Sequence, residues 1–220
     1  MSTAADLARF FWQLAPQAKN SLLSESSRRE MTHARWTDSW TPLAPQSYGL
    51  GAISAKFEDW EHVGHSGGFL GYVTRTAVVL EQGLAVSCLT NAVDGMSHLW
   101  LDGALGILKR LKADGAPNAA LRDWRGRWWS AWGPSDLVPA GDKVLVGVAA
   151  ATNPLAKAAE VTVTSPDQGR ISQAGAFASF GEPAALIRDD GGSVTGVRLG
   201  GGRLAREADL AAEMVGRYDS

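Results

Sequence analysis

The sequence predicts an α+β protein with a partial antiparallel sheet and flanking helices, followed by a small all-β, barrel-like domain. Three observations carry this prediction. Apolar residues recur at helical spacing near the start of the chain and again before a central linker. Two β-branched segments, 72–80 and 84–91, are joined by three residues that include Gly83, which is typical of a hairpin. In the second half, short apolar segments alternate with Gly, Pro and Asp turns, the pattern of an antiparallel sandwich or barrel.

The first half opens with two helices that carry their own start signals. Thr3, with an acidic residue three positions later, resembles a capping box, and Ser24 caps a second helix over 25–33. Residues 34–47 hold two Trp and two Pro and predict an irregular segment, and 48–53 predict a short strand. A helix of about fifteen residues is expected after the hairpin because leucines recur there at helical spacing.

Residues 113–121 are the one convincing linker, because Gly and Pro fall close together there. The sequence therefore predicts a domain over 1–112, the linker, and a second domain over 122–220. Strands of the second domain are predicted at 143–148, 160–164, 184–188 and 193–199, and a final helix at 208–215.

Composition excludes several classes of partner. The 220 residues are 45% hydrophobic and carry a formal net charge of −2, which gives no electrostatic footprint for nucleic acid or an anionic membrane. No apolar run approaches the roughly 20 residues of a membrane span, and the polar start lacks a signal-peptide pattern. The single Cys88 excludes an internal disulfide, so the compartment (periplasmic, secreted or cytoplasmic) stays open.

The segment 64–68, Gly-His-Ser-Gly-Gly, is the strongest candidate site because it combines an imidazole, a hydroxyl and several glycines. It matches G-x-S-x-G, the nucleophile elbow, which needs an apolar strand before it and a helix after it. Here polar residues precede the segment and a strand pattern follows. The one later histidine is His98, four residues after Asp94. The elbow is therefore disfavoured.

The sequence also offers a candidate metal site and a candidate stacking platform, and in both cases a structural role of the same residues is favoured. His62 and His65, near Asp59 and Glu61, form a candidate metal site, but positions three apart on a strand point to opposite faces. Four tryptophans at 124–132 are candidates for a stacking platform, although core filling of a barrel is favoured.

Three segments together resemble the penicillin-recognising serine hydrolases, in the class C β-lactamase-like branch that includes esterases and D-aminopeptidases. Ser2–Phe10 resembles a helix of that family, and Tyr48–Gly51 resembles the strand entry before its third catalytic motif. His65–Tyr72, with Val86–Asn91 after it, resembles that motif and its neighbouring strands. The likeness covers 1–112, and the remainder resembles the small lipocalin-like domain that often follows such hydrolases.

The resemblance implies a mechanism and a set of site residues. In the family, the Ser of Ser-x-x-Lys attacks an ester or amide carbonyl to form an acyl-enzyme, and a Tyr of Tyr-x-Asn assists proton transfer. By carry-over, His65 takes the place of the lysine in the Lys-Thr-Gly motif, and Ser66 supplies its hydroxyl. Gly67, Gly68 and Phe69 are then expected to bind the small-molecule substrate, with no cofactor.

The sequence departs from the family in two motifs. No Ser is followed three residues later by Lys, and no Tyr is followed two residues later by Asn. We therefore expect the C-terminal part of a longer hydrolase, inactive alone, that associates with itself or with the missing N-terminal segment through an exposed sheet edge. The alternative is a non-catalytic binding or regulatory protein that keeps the hydrolase scaffold.

Overall fold

The computed structural model describes residues 2–38, 46–174 and 180–218. The chain divides into two compact units, Met1–Leu105 and Gly106–Ser220. The residues predicted as a linker include the end of one helix and the start of a 3-10 helix. The domain bounds drawn from the sequence stay a prediction.

The first unit contains a six-stranded antiparallel sheet whose strands follow one another in chain order. Its strands are β1 (Trp36–Asp38), β2 (Gln46–Tyr48), β3 (Ile53–Phe57), β4 (Trp60–Phe69), β5 (Tyr72–Val79) and β6 (Leu84–Thr90). Its helices are α1 (Ala4–Trp12), α2 (Glu25–Thr32) and the first turns of α3 (Ser97–Asp114). In the part of the chain that the structure describes, no helix is both long enough and apolar enough to cross a membrane.

The two N-terminal helices begin where the sequence predicts. The backbone N–H of Asp6 donates to Thr3 Oγ1 at 3.1 Å, and the Asp6 carboxylate accepts from the Thr3 N–H at 3.3 Å, which completes a capping box. Ser24 Oγ accepts from the Ser27 N–H at 3.1 Å and so caps α2. Both helix starts are confirmed.

Two predictions before the motif are wrong. The strand expected over 48–53 is instead a turn between β2 and β3, in which Gly51 takes a left-handed φ of +75°. The segment expected to be irregular, 34–47, contains β1, which pairs with β2 through Trp36 and Tyr48. Its residues 39–45 lie outside the described part of the chain. Cross-strand pairing forms these short strands, and a pattern within one segment does not reveal it.

The sheet places neighbouring residues of β4 on opposite faces. Val63 lies on the face covered by the N-terminal helices, and His62 lies on the other face. The core on the helix-covered face consists of Leu14, Ala15, Ala52, Val63 and Val78, with Phe11, Trp12, Leu23, Met31, Leu80 and Ala85 packed against it. This core fixes which side chains of β4 face away from α1.

The second unit is a closed eight-stranded antiparallel barrel in which each strand pairs with the next and the last pairs with the first. The strands are β7 (Gly126–Ser130), β8 (Gly133–Ala140), β9 (Lys143–Val148), β10 (Ala159–Ser165), β11 (Gln168–Gln173), β12 (Pro183–Arg188), β13 (Val194–Leu199) and β14 (Gly202–Ala205). A 3-10 helix (Ala119–Trp124) precedes them and α4 (Glu207–Tyr218) follows. The four predicted strands correspond to β9, β10, β12 and β13.

Aromatic and branched side chains fill the barrel interior. Trp124 and Trp128 are fully buried there, so the core-filling interpretation of the tryptophan cluster holds for these two residues. Trp132 is 90% exposed and contributes nothing to that core. The rest of the core consists of Leu121, Leu137, Val144, Val161, Ile171, Ala184, Leu186, Val197 and Leu204.

Candidate active site

The candidate motif lies inside a continuous strand. β4 pairs with β5 from His62 to Phe69, but its pairing with β3 stops at Gly64. Among the described residues, positions 65–69 therefore leave one edge of β4 unpaired. A nucleophile elbow requires a sharp turn from strand to helix, and the backbone makes no such turn here. The elbow hypothesis is wrong.

His65 is held by two hydrogen bonds. Its Nε2 lies 2.9 Å from the hydroxyl oxygen of Tyr48, and its Nδ1 bonds the backbone carbonyl of Ser66. The two rings meet edge to face at 80°, with centroids 5.7 Å apart. Because a carbonyl only accepts, Nδ1 of the neutral imidazole carries the hydrogen and Nε2 accepts from Tyr48. The ring is thus fixed in one tautomer.

Sequence reasoning missed Tyr48 as a partner of this histidine. In the sequence, Tyr48 only begins the segment that resembles the family's strand entry, and the residue two positions after it is Leu50 and not Asn. The register of the sheet aligns Tyr48 with Ile53 and Ile53 with Gly64, which places the phenol beside the residue after Gly64. The signal in the sequence that could have predicted this register is the turn at 49–52, which contains Gly49 and Gly51.

Ser66 lies opposite Arg75 on β5 and faces a separate cavity. The cavity measures about 260 Å³. Its lining includes Lys56, His62, Ser66, Arg75, Ser97, His98 and Asp102. The hydroxyl of Ser66 is exposed and makes no hydrogen bond within the described residues. It is therefore available to a ligand next to a guanidinium.

The electrostatics of this cavity keep one imidazole neutral. His62 is only 4% exposed, and its Nδ1 is buried without a hydrogen-bond partner in the described part of the chain. Burial, and then the positive charge of Arg75, lower the pKa of His62 to about 4. Burial also lowers the pKa of Arg75, and the negative charge of Asp102 partly offsets that effect. At neutral pH the cavity therefore holds a neutral imidazole beside a cation.

The three residues predicted to bind substrate lie at the exposed end of β4. A Cβ on Gly68 would meet open space, whereas one on Gly67 would lie 2.8 Å from Thr74 Oγ1. Phe69 is 78% exposed. This end of the strand is accessible, but its role in binding stays a prediction.

The two histidines of the candidate metal site contact different residues. His62 lines the cavity with Arg75, whereas His65 bonds Tyr48. No group of three acidic, histidine or cysteine side chains in the described ranges is arranged to hold a metal ion.

The sequence profile of the beta-lactamase family matches residues 1–102. The resemblance drawn from the motifs is confirmed over this region, and the N-terminal unit is β-lactamase-like. It is thereby related to a superfamily of serine hydrolases. No curated protein sequence matches the chain.

Solved structures give weaker likenesses. The octameric penicillin-binding protein homologue from Pyrococcus abyssi aligns at 18% identity and a TM-score of 0.43, over 93% of this chain and 47% of that one. SurE aligns at 17% identity and a TM-score of 0.39, over 93% of this chain and 48% of that one. The structure of SurE with D-Leu has 18% identity and a TM-score of 0.37, with coverage of 93% and 50%. The chain thus spans about half the length of these proteins.

Proposed function

We propose that the N-terminal unit forms one wall of the active-site cleft of a serine hydrolase that cleaves an ester or amide through an acyl-serine intermediate. The observation that carries this proposal is the edge of β4 at 65–69, which no other described strand pairs with and which lies beside the bonded pair Tyr48 and His65. A free strand edge offers backbone N–H groups to a substrate carbonyl, which is how an oxyanion is held in acyl transfer.

The two motif side chains have separate roles in this proposal. His65 takes the position of the family's lysine, and its bond to Tyr48 extends a proton network toward the cleft. Ser66 orients the substrate with its exposed hydroxyl, and Gly68 leaves the main chain open to a ligand. The nucleophile is supplied by a segment outside these 220 residues, because they contain no Ser-x-x-Lys.

The experiment is to express the coding sequence upstream of Met1 together with this chain and to assay a chromogenic ester and a chromogenic cephalosporin. We expect turnover when Ser-x-x-Lys and Tyr-x-Asn are in frame there, its loss when that Ser is replaced by Ala, and a large decrease in His65→Ala. The 220-residue chain alone is expected to show no turnover. Turnover by this chain alone, abolished by Ser66→Ala, contradicts the proposal.

The absence of both other motifs from the 220 residues favours a second candidate, a non-catalytic binding or regulatory protein. In that case a stop codon precedes Met1 in frame and no form of the protein turns over either substrate. The same experiment therefore separates the two functions.

We further propose that the first unit associates with itself or with the nucleophile-bearing segment. Apolar side chains at the β4–β5 turn support this, because Phe69 is 78% and Leu70 is 83% exposed. A monodisperse monomer in size-exclusion chromatography that binds no apolar dye contradicts the proposal.

We also propose that the barrel is a lipocalin-like module. Its eight strands pair in chain order and close on themselves, which is the up-and-down arrangement that lipocalins use. The packing of Trp124 and Trp128 in its interior favours a structural role over ligand storage. Inter-strand nuclear Overhauser effects that report a different strand order contradict this assignment.

A further inference from the structure

Four arginines surround a cavity at one end of the barrel: Arg122, Arg125, Arg188 and Arg206. We call them the arginine cluster. The cavity measures about 330 Å³, and the one acidic side chain in its lining is Asp123. The remaining lining residues are Gly192, Ser193 and Val194. The whole chain carries a formal net charge of −2, so the positive charge here is local.

The acidic residue of the cavity is already committed to one arginine. Arg188 Nη2 bonds Asp123 Oδ2 at 2.8 Å and Asp167 Oδ1 at 2.7 Å, and its Nε bonds Asp167 Oδ1 at 2.9 Å. Its Nη1 donates to the carbonyl of Gly192 at 2.7 Å. These bonds fix Arg188 and neutralise its charge. They leave the other arginines of the cluster without Asp123.

Arg122 and Arg125 have no such partner in the part of the chain that the structure describes. Both are exposed, and neither side chain makes a hydrogen bond or an ion pair within the described residues. They come from the 3-10 helix and the residue after it, and both residues line the same cavity. Like charges held near one another repel, and a bound anion relieves that repulsion.

Arg206 brings further hydrogen-bond donors to the cavity. Its guanidinium lies 3.8 Å from the ring centroid of Trp128, and Nη1 reaches the carbonyl of Arg127 at 3.4 Å. The Trp128 indole N–H is buried and finds no acceptor among the described residues. Stacking on the indole orients the edge of the guanidinium, and a guanidinium only donates hydrogen bonds. This end of the barrel is therefore rich in donors and poor in acceptors.

We propose that the arginine cluster binds a phosphate group, either inorganic phosphate or a small phosphate monoester. Guanidinium donors match the oxygens of phosphate in a fork geometry, and the phosphate presents several acceptors to Arg122, Arg125 and Arg206 at once. The cavity volume accommodates a group of that size. This site lies within the second unit and is independent of the proposed hydrolase function.

The test is isothermal titration of the full 220-residue chain with inorganic phosphate and, in a second arm, with phenyl phosphate, at constant ionic strength. We expect saturable binding that weakens about tenfold in Arg122→Gln and in Arg125→Gln, because each substitution removes one charge-assisted hydrogen bond. The matched control is Arg198→Gln, an exposed arginine on β13 outside the cavity, which is expected to bind as the unchanged protein does. Tighter binding of phenyl phosphate identifies a monoester as the ligand, and tighter binding of inorganic phosphate identifies the free ion.

A second measurement follows the indole N–H of Trp128 in ¹⁵N-correlated NMR spectra, with its resonance assigned from Trp128→Phe. Because Arg206 stacks on this ring, we expect the resonance to shift as phosphate saturates the site and to stay in place in Arg206→Gln. Three results would overturn the proposal. The first is an Arg198→Gln variant that weakens binding as much as Arg122→Gln does. The others are a Trp128 resonance that does not move and the lack of saturable heat with either probe.

Discussion

Gly64 on β4 lies so close to Thr76 on β5 that a Cβ at position 64 would be 1.9 Å from the Thr76 carbonyl oxygen. The two strands are paired at this point through Gly64 and Ala77. No rotation of a side chain relieves such a contact, because both partners belong to the backbone. The first glycine of the motif is therefore required by the sheet and not by a ligand.

We accordingly expect Gly64→Ala to lower the free energy of unfolding by about 3 kcal/mol, because the β4–β5 backbones must separate. Gly68→Ala is the matched control, since a Cβ there meets open space. Its effect is expected to stay within about 0.5 kcal/mol. Urea unfolding followed by circular dichroism measures both variants. Equal destabilisation by the two substitutions contradicts the assignment of a packing role to Gly64.

The buried imidazole of His62 makes stability depend on pH. Its pKa in the folded protein is about 4, below the ordinary value of 6.5, so the unfolded chain takes up a proton first as the pH falls. The free energy of unfolding should therefore decrease between about pH 6.5 and pH 4, by about 3 kcal/mol, and this contribution should be constant below that range.

The variant His62→Leu isolates this effect. It removes the titrating group and places an apolar side chain at a position where the native side chain is only 4% exposed. We expect the difference in unfolding free energy between the unchanged protein and His62→Leu to vary with pH in that window. His33→Gln, at an exposed helix end, is the control variant and should leave the free energy of unfolding at neutral pH close to that of the unchanged protein. Parallel curves for the unchanged protein and His62→Leu would show that His62 does not cause the dependence.

The bond from Tyr48 to His65 predicts the tautomer of the imidazole. With Nδ1 bonded to the Ser66 carbonyl, the ¹⁵N spectrum of the neutral ring should report hydrogen on Nδ1 and none on Nε2. Tyr48→Phe removes the donor to Nε2, so the Nε2 resonance should shift while the hydrogen stays on Nδ1. Hydrogen on Nε2 in the unchanged protein contradicts the arrangement.

Local signals in the sequence predicted the elements that depend on local contacts. The caps at Thr3 and Ser24 lie within three residues of the groups that they bond, and four residues separate β5 from β6 in their hairpin. The sequence did not predict β8, because this strand contains Pro134 and Pro139, and proline is uncommon inside strands. Its place in a closed barrel depends on pairing with β7 and β9.

In the candidate site, too, the residues in a local motif were predictable from the sequence, and those placed by strand pairing were not. His65 and Ser66 were selected by resemblance to a motif, which is a local pattern. Arg75 was not, although it is symmetric with Ser66 about the turn after Phe69 and pairs with it in the sheet. Once β4 and β5 are known to form a hairpin, the two positions follow from the register. The missing information was therefore the pairing, and it comes from tertiary structure.

Four charged side chains in the second unit form a closed network in which each cation contacts both anions. Arg110 Nε lies 2.5 Å from Asp114 Oδ2, and Lys143 Nζ lies 3.0 Å from both Asp114 Oδ1 and Glu160 Oε2. Arg110 also bonds Glu160. Burial raises the pKa of Asp114 and Glu160, but the hydrogen bonds from Arg110 and Lys143 and the positive charges of these two residues together outweigh it, so both pKa values are lowered.

We expect Glu160→Gln to lower the free energy of unfolding by about 2 kcal/mol near neutral pH, because it leaves two partly buried cations with one carboxylate. A lowered carboxylate pKa stabilises the fold above the unfolded value, so the difference should shrink as the pH falls below about 4.5. Glu213→Gln is the control, since Glu213 pairs with Arg203 and Arg217 near the surface of α4 and should change stability by less than about 1 kcal/mol. Thermal and urea unfolding at pH 7 and pH 4 measure these effects. A loss in Glu160→Gln that is no larger than in Glu213→Gln, or that is the same at both pH values, would mean that the network does not stabilise the second unit.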